Sequence, residues 1–151
     1  MSSSNSDLCP LTAAVGHRQS AFEMLATIRE IRDTLLAKTV KGRQIISLYK
    51  QCSPTLLKAV FLDRRFRNQL LNSIDNLQPA IAGIKGALAG NGDDYVFTPE
   101  DALTISNLLE LTINKLPAPQ VRLANKLKQS LLFSSMPGKT VGEYLALVKL
   151  L

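Results

Sequence analysis

Two cysteines and a single histidine are the side chains of this 151-residue chain best suited to nucleophilic or metal chemistry. Cys9 stands eight residues before His17, and a loop folding the imidazole back would activate a thiolate there. A Cys9-dependent redox or processing site is the functional reading, and the plainer one is a small buried hydrophobe. Cys9, Cys52 and His17 match no zinc-ligand spacing, so neither a metal nor a cofactor is expected. Both cysteines are simplest as free thiols, with a Cys9–Cys52 disulfide as the alternative in an oxidising compartment.

The remaining polar groups argue against catalysis. Paired carboxylates occur as Asp93-Asp94, in a Gly-Asn-Gly loop, and as Glu100-Asp101, behind Thr98-Pro99 where a helix begins. Both pairs are better explained as loop and cap than as acid–base machinery. Gly83 and Gly86 sit in a helical pattern without the spacing of a phosphate loop, which suggests close packing. The chain therefore reads as non-enzymatic.

Charge is the stronger signal. The net charge is +6, but the segment from Arg29 to Arg67 holds ten basic and three acidic residues, giving +7 on its own. Lys38, Lys41, Lys50, Lys58, Arg64, Arg65 and Arg67 form its candidate surface, suited to phosphates or an acidic partner. No aromatic stacking platform or zinc finger accompanies them, so a solvated helical surface remains open. Residues 1–7 lack the basic start and apolar core of a secretory signal, and no apolar run approaches the roughly 20 residues that cross a bilayer.

These groups must be positioned by helices. Leu, Ile and Ala supply most of the apolar content, aromatics are 5% and Trp is absent, which favours helix over strand. After a polar, frayed stretch over 1–8, residues 9–151 read as a single all-α domain, a compact bundle of six or seven short helices, divisible near 90–97. Met24, Ile28, Ile31 and Leu35 predict a first helix, with Lys38 to Gly42 as a break and Ile45 to Cys52 as a short second helix. Ser53-Pro54 reads as the start of a third helix and Asp63 as the cap of a fourth. Pro79 predicts a kink or a collinear restart. Further starts fall at Thr98-Pro99, at Pro117-Ala118-Pro119 and at the capping box Thr140 to Glu143. Tyr95-Val96-Phe97 is the one β-like run, too short for a sheet.

The stretch Cys9-Pro-Leu-Thr-Ala-Ala-Val-Gly16, then Ile28-Arg29-Glu30-Ile31-Arg32-Asp33, Gly42-Arg43, Leu48-Tyr49 and Ser53-Pro54, resembles the bacterial CFI-box C-terminal domain family. Pro10-Leu11 replaces the family's Phe-Ile, Val15 a tyrosine and Lys50 a second tyrosine. The resemblance implies a helical module attached to other, often exported, domains, with an anchoring or sorting role. For the matching residues, a hydrogen-bonded network of Arg29, Asp33, Arg43 and Tyr49 is expected to set the angle between the first two helices. The function expected is binding of another protein; the alternative is a nucleic acid or another anionic surface contacted through residues 29–67.

Overall fold

The computed structural model describes residues 19–90 and 95–151. Cys9, His17, the Cys9–Gly16 segment, the polar residues 1–8 and the loop residues Asn91 to Asp94 lie outside that set, as do the side chains of Phe22, Met24 and Leu25. Seven α-helices make up the described chain: α1 Gln19–Thr34, α2 Val40–Leu62, α3 Arg64–Asn76, α4 Gln78–Leu88, α5 Pro99–Ile113, α6 Ala118–Ser130 and α7 Val141–Leu147. Short 3-10 turns at Leu36–Lys38 and Phe133–Ser135 complete an all-α fold.

The break after α1 is tighter than the sequence suggests. Thr39 is the N-cap of α2, its hydroxyl accepting the Gly42 N–H at 3.0 Å. Gly42 is thus helical, and its role is steric. A Cβ built there lies 2.0 Å from the Leu36 carbonyl oxygen, so only glycine lets the 3-10 turn lie on α2.

The expected helix start at Ser53-Pro54 is absent, because α2 runs unbroken through Pro54 for 23 residues. An interior proline costs about 3 kcal/mol. Against it, Cys52, Leu56 and Val60 form one buried stripe packed with Phe66 and Leu70, each large side chain contributing roughly 1.5–3 kcal/mol. Burial wins. The Pro54 ring is exposed, and the Ser53 hydroxyl turns back to donate to the Tyr49 carbonyl at 2.8 Å instead of capping a new helix.

The other boundaries follow local chemistry. Asp63 caps α3 by accepting the Phe66 N–H at 3.0 Å, and Pro79 sits in the first turn of α4 after a restart at Leu77. Capping boxes open α5 at Thr98 and Asp101, and α7 at Thr140 and Glu143. The Thr140 bonds hold the Glu143 carboxyl below its usual range. Tyr95-Val96-Phe97 makes a single bridge, Val96 to Thr140, and no sheet.

One core cluster joins Leu35, Leu77 and Ala80 to Phe97, Tyr144 and Val148, so residues on both sides of 90–97 share it. Phe97 meets Tyr95 and Tyr144 edge-on, at 5.7 and 5.4 Å between ring centres. Tyr95 also donates its hydroxyl to buried Asp101 at 2.5 Å; burial and that carboxylate push the phenol pKa up to about 12. Gly83 gives the Tyr95 ring its place, since a Cβ there would fall 2.4 Å from the ring, whereas Gly86 faces open space.

Gly42 and Gly86 predict a contrast. Gly42→Ala is expected to lower unfolding free energy by about 3 kcal/mol, because backbone blocks the new methyl. Gly86→Ala is expected to raise it by about 0.5–1 kcal/mol through helix propensity. Urea denaturation of the two variants checks both signs.

Candidate functional site

The expected network at the first two helices is rearranged. Asp33 is bridged by Arg32, Nε to Oδ1 at 2.9 Å, and that hydrogen bond holds its carboxyl below the usual range, with Lys50 nearby adding to the effect. Arg43 does not reach Asp33; its guanidinium donates to the Ala37 carbonyl at 3.1 Å. The 3-10 turn presents that carbonyl six residues back in the chain. Arg29 is half-buried on α1, and Tyr49 packs beside the second core cluster on α2.

The basic stretch does not form one patch. Lys38 on the 3-10 turn, Lys50 and Lys58 on α2, and Arg64 and Arg65 on α3 are exposed, and Arg67 folds back to donate to the Val60 carbonyl at 3.1 Å. Lys41 alone turns toward the far half of the chain. Its ammonium donates to the Ser130 carbonyl at 2.7 Å, at the C-terminal end of α6 where the helix dipole is negative. Partial burial, with Lys149 beside it, pulls the Lys41 pKa below its ordinary value. Cys52 is a buried free thiol whose pKa burial raises.

Lys41 belongs to a groove of about 920 Å³ between α2, α6 and the segment after α7. Val40, Leu48, Leu123, Leu127, Leu132 and Leu147 give it an apolar floor, while Lys41, Lys126 and Lys149 supply cations and no carboxylate lines it. Four of those apolar side chains are open to solvent, Val40 at 66%, Leu123 at 53%, Leu132 at 43% and Leu147 at 41%. Leu48 and Leu127 also line a smaller apolar cavity of about 140 Å³ beneath the floor, bounded by Cys52, Leu109 and Ile113. The groove is therefore concave, apolar and positive.

Two backbone positions set it apart further. Among the described residues, the non-glycine residues with positive φ are Leu132, at 48°, and Lys149, at 62°, and both line this groove. Both follow the last turn of a helix as left-handed C-terminal caps, Leu132 donating its N–H to the Gln129 carbonyl at 3.4 Å after α6 and Leu150 reaching the Leu145 carbonyl at 2.8 Å after α7, at a cost of roughly 1–2 kcal/mol for a bulky L-residue. Lys126, Lys149, Leu123 and Leu147 were not singled out by the sequence. They lie some 80 to 110 residues from Lys41, and neither spacing nor composition reports that approach.

Two outcomes follow. Asp33→Ala and Arg43→Ala are expected to be additive in a double-mutant stability cycle, because the two side chains bond elsewhere; measurable coupling would mean that they pair in solution. Lys149→Gly is expected to stabilise the fold by about 0.5–1 kcal/mol, the left-handed strain relieved less the entropy of glycine. A lower melting temperature for that variant would contradict the strain.

Among the described residues, no group of three or more His, Cys, Asp or Glu side chains is placed to hold a metal ion, and no helix is long and apolar enough to cross a membrane. No protein-family model and no solved structure matches the chain. Among curated proteins, the chain is similar to the "Cell wall-associated protease" of Bacillus subtilis (strain 168), 25% identical over 139 residues. That alignment covers 92% of this chain and 15% of the protease, so the chain spans a small part of the length of the relative it matches.

Proposed function

We propose that this chain is a non-enzymatic helical interaction module that binds another protein in the groove between α2, α6 and the segment after α7. The observation that carries the reading is the groove itself, an apolar floor with three lysines and no carboxylate. A concave surface of this kind suits an inserted segment, such as an amphipathic helix presenting apolar anchors and acidic flanks. Apolar contact supplies most of the affinity, and the lysines steer approach and orientation.

The comparison supports an accessory role. In a protein named as a cell wall-associated protease, the related region occupies 15% of the length. A helical domain of that share fits docking or anchoring of a larger partner better than the cleavage step, which needs convergent catalytic groups. The resemblance of Cys9 to Pro54 to a helical module carried beside other domains points in the same direction.

A photo-crosslinking residue placed at Leu123 tests the reading in source cells. A discrete adduct with another polypeptide is expected from Leu123 but not from the exposed position Lys85 on α4. Adding Leu147→Ser and Lys126→Glu is expected to weaken that adduct about tenfold or more, equivalent to about 1.4 kcal/mol. Equal labelling from both positions would remove the groove as the docking site.

A further inference from the structure

The opposite end of α2 carries a second surface of different shape. Phe61 and Leu62, its last two residues, are 61% and 75% exposed. They cannot turn inward, because the stripe that reaches Val60 is already packed and Phe66, on the other side of the junction, is also buried. The Arg67 bond to the Val60 carbonyl and the Asp63 cap on Phe66 hold the connection between α2 and α3 in place. The apolar pair therefore projects from a fixed, convex corner.

Cations surround it. Lys58 lies one turn back on α2, and Arg64 and Arg65 open α3, all three exposed. The one acidic residue in this stretch, Asp63, is held in an ion pair with Lys115 at 2.5 Å, and that bond keeps its carboxyl below the usual range. Net positive charge thus sits on both sides of two protruding hydrophobes. Val40, in the groove, lies about 30 Å away along the helix.

We propose that the α2–α3 junction docks on a lipid bilayer bearing anionic headgroups, with Phe61 and Leu62 entering the headgroup–acyl boundary and Lys58, Arg64 and Arg65 facing lipid phosphates. This goes beyond the groove, with which it shares no residue. A single-stranded nucleic acid would engage the cations and stack a base on Phe61, yet leave Leu62 in water. A bilayer takes up both, because a soft interface accommodates a convex tip and long cationic side chains reach the headgroups from beside it. No membrane-spanning helix is required.

The chain contains no tryptophan, so Phe61→Trp places a sole indole reporter at the tip. With vesicles of phosphatidylcholine and phosphatidylglycerol at 70:30, its emission is expected to shift to the blue, with no shift on pure phosphatidylcholine. In co-sedimentation with the same vesicles, Phe61→Ser/Leu62→Ser is expected to bind roughly tenfold less, with an unchanged melting temperature since both residues are exposed. Lys58→Glu/Arg64→Glu is expected to lose binding, and the groove variant Leu123→Ser/Leu147→Ser to retain it. Four results would overturn the proposal: equal binding to neutral vesicles, no binding to either, undiminished binding by the Phe61/Leu62 variant, or full displacement by single-stranded RNA at equal phosphate.

Discussion

The continuity of α2 is the constraint on which the surfaces of this protein depend. A 23-residue helix reaches about 35 Å, long enough to line a groove with its first turns and to present an apolar corner with its last. Had the chain restarted at Ser53-Pro54, the second half would be free to pack at another angle. One missing hydrogen bond and a crowded ring oppose the continuous helix. The buried stripe from Cys52 to Val60 outweighs both, and the Pro54 ring points to solvent, where the helix deforms at least cost.

The second half of the chain is tied to this helix by Leu108, Leu111 and Leu116 packing on its stripe and by polar contacts that are each chemically specific. Lys115, at the end of α5, binds the Asp63 carboxylate and also sits 5.4 Å over the Phe66 ring. Asp63 thereby both caps α3 and holds the α5–α6 turn. At the other end, Lys41 satisfies a carbonyl at the C-terminus of α6. Lys128 pairs with Glu110 between α5 and α6. The Tyr95 and Phe97 rings, from the segment before α5, close the core against Tyr144 of α7, and Asp101 fixes Tyr95 there while completing its own cap.

Stability and exposure are distributed in opposite senses across the molecule. Val60, Phe66, Val141 and Val148 are sealed from solvent, while large apolar side chains remain open along the groove and at the α2–α3 junction. Scattered exposed leucines need no explanation. Here they gather beside lysines and arginines, and in the groove beside left-handed backbone at Leu132 and Lys149. At Lys149 that backbone closes the C-terminus of α7: the Lys149 and Leu150 N–H groups donate to the Ala146 and Leu145 carbonyls, and the turn buries Leu150 in the core while the Lys149 side chain stays exposed.

The sequence by itself determined the all-α class and most helix ends, because these rest on neighbours in the chain. Thr98, Asp63 and Thr140 place an oxygen where a free N–H must be satisfied, Pro79 and Pro119 can begin a helix, and the apolar period survives any arrangement of the helices. Local rules also misled at Pro54, since a start signal there competes with burial energy that only the packed partner supplies. They misled at Arg43 too, where the nearest acceptor in space is a carbonyl of the 3-10 turn instead of the carboxylate suggested by spacing. The tertiary structure alone decided that Lys41 would leave the basic stretch to meet Lys126 and Lys149, and that Phe61 and Leu62 would face outward. Both outcomes depend on contacts between residues far apart in the chain, whose geometry is set by the sum of all packing energies and is carried by no single segment.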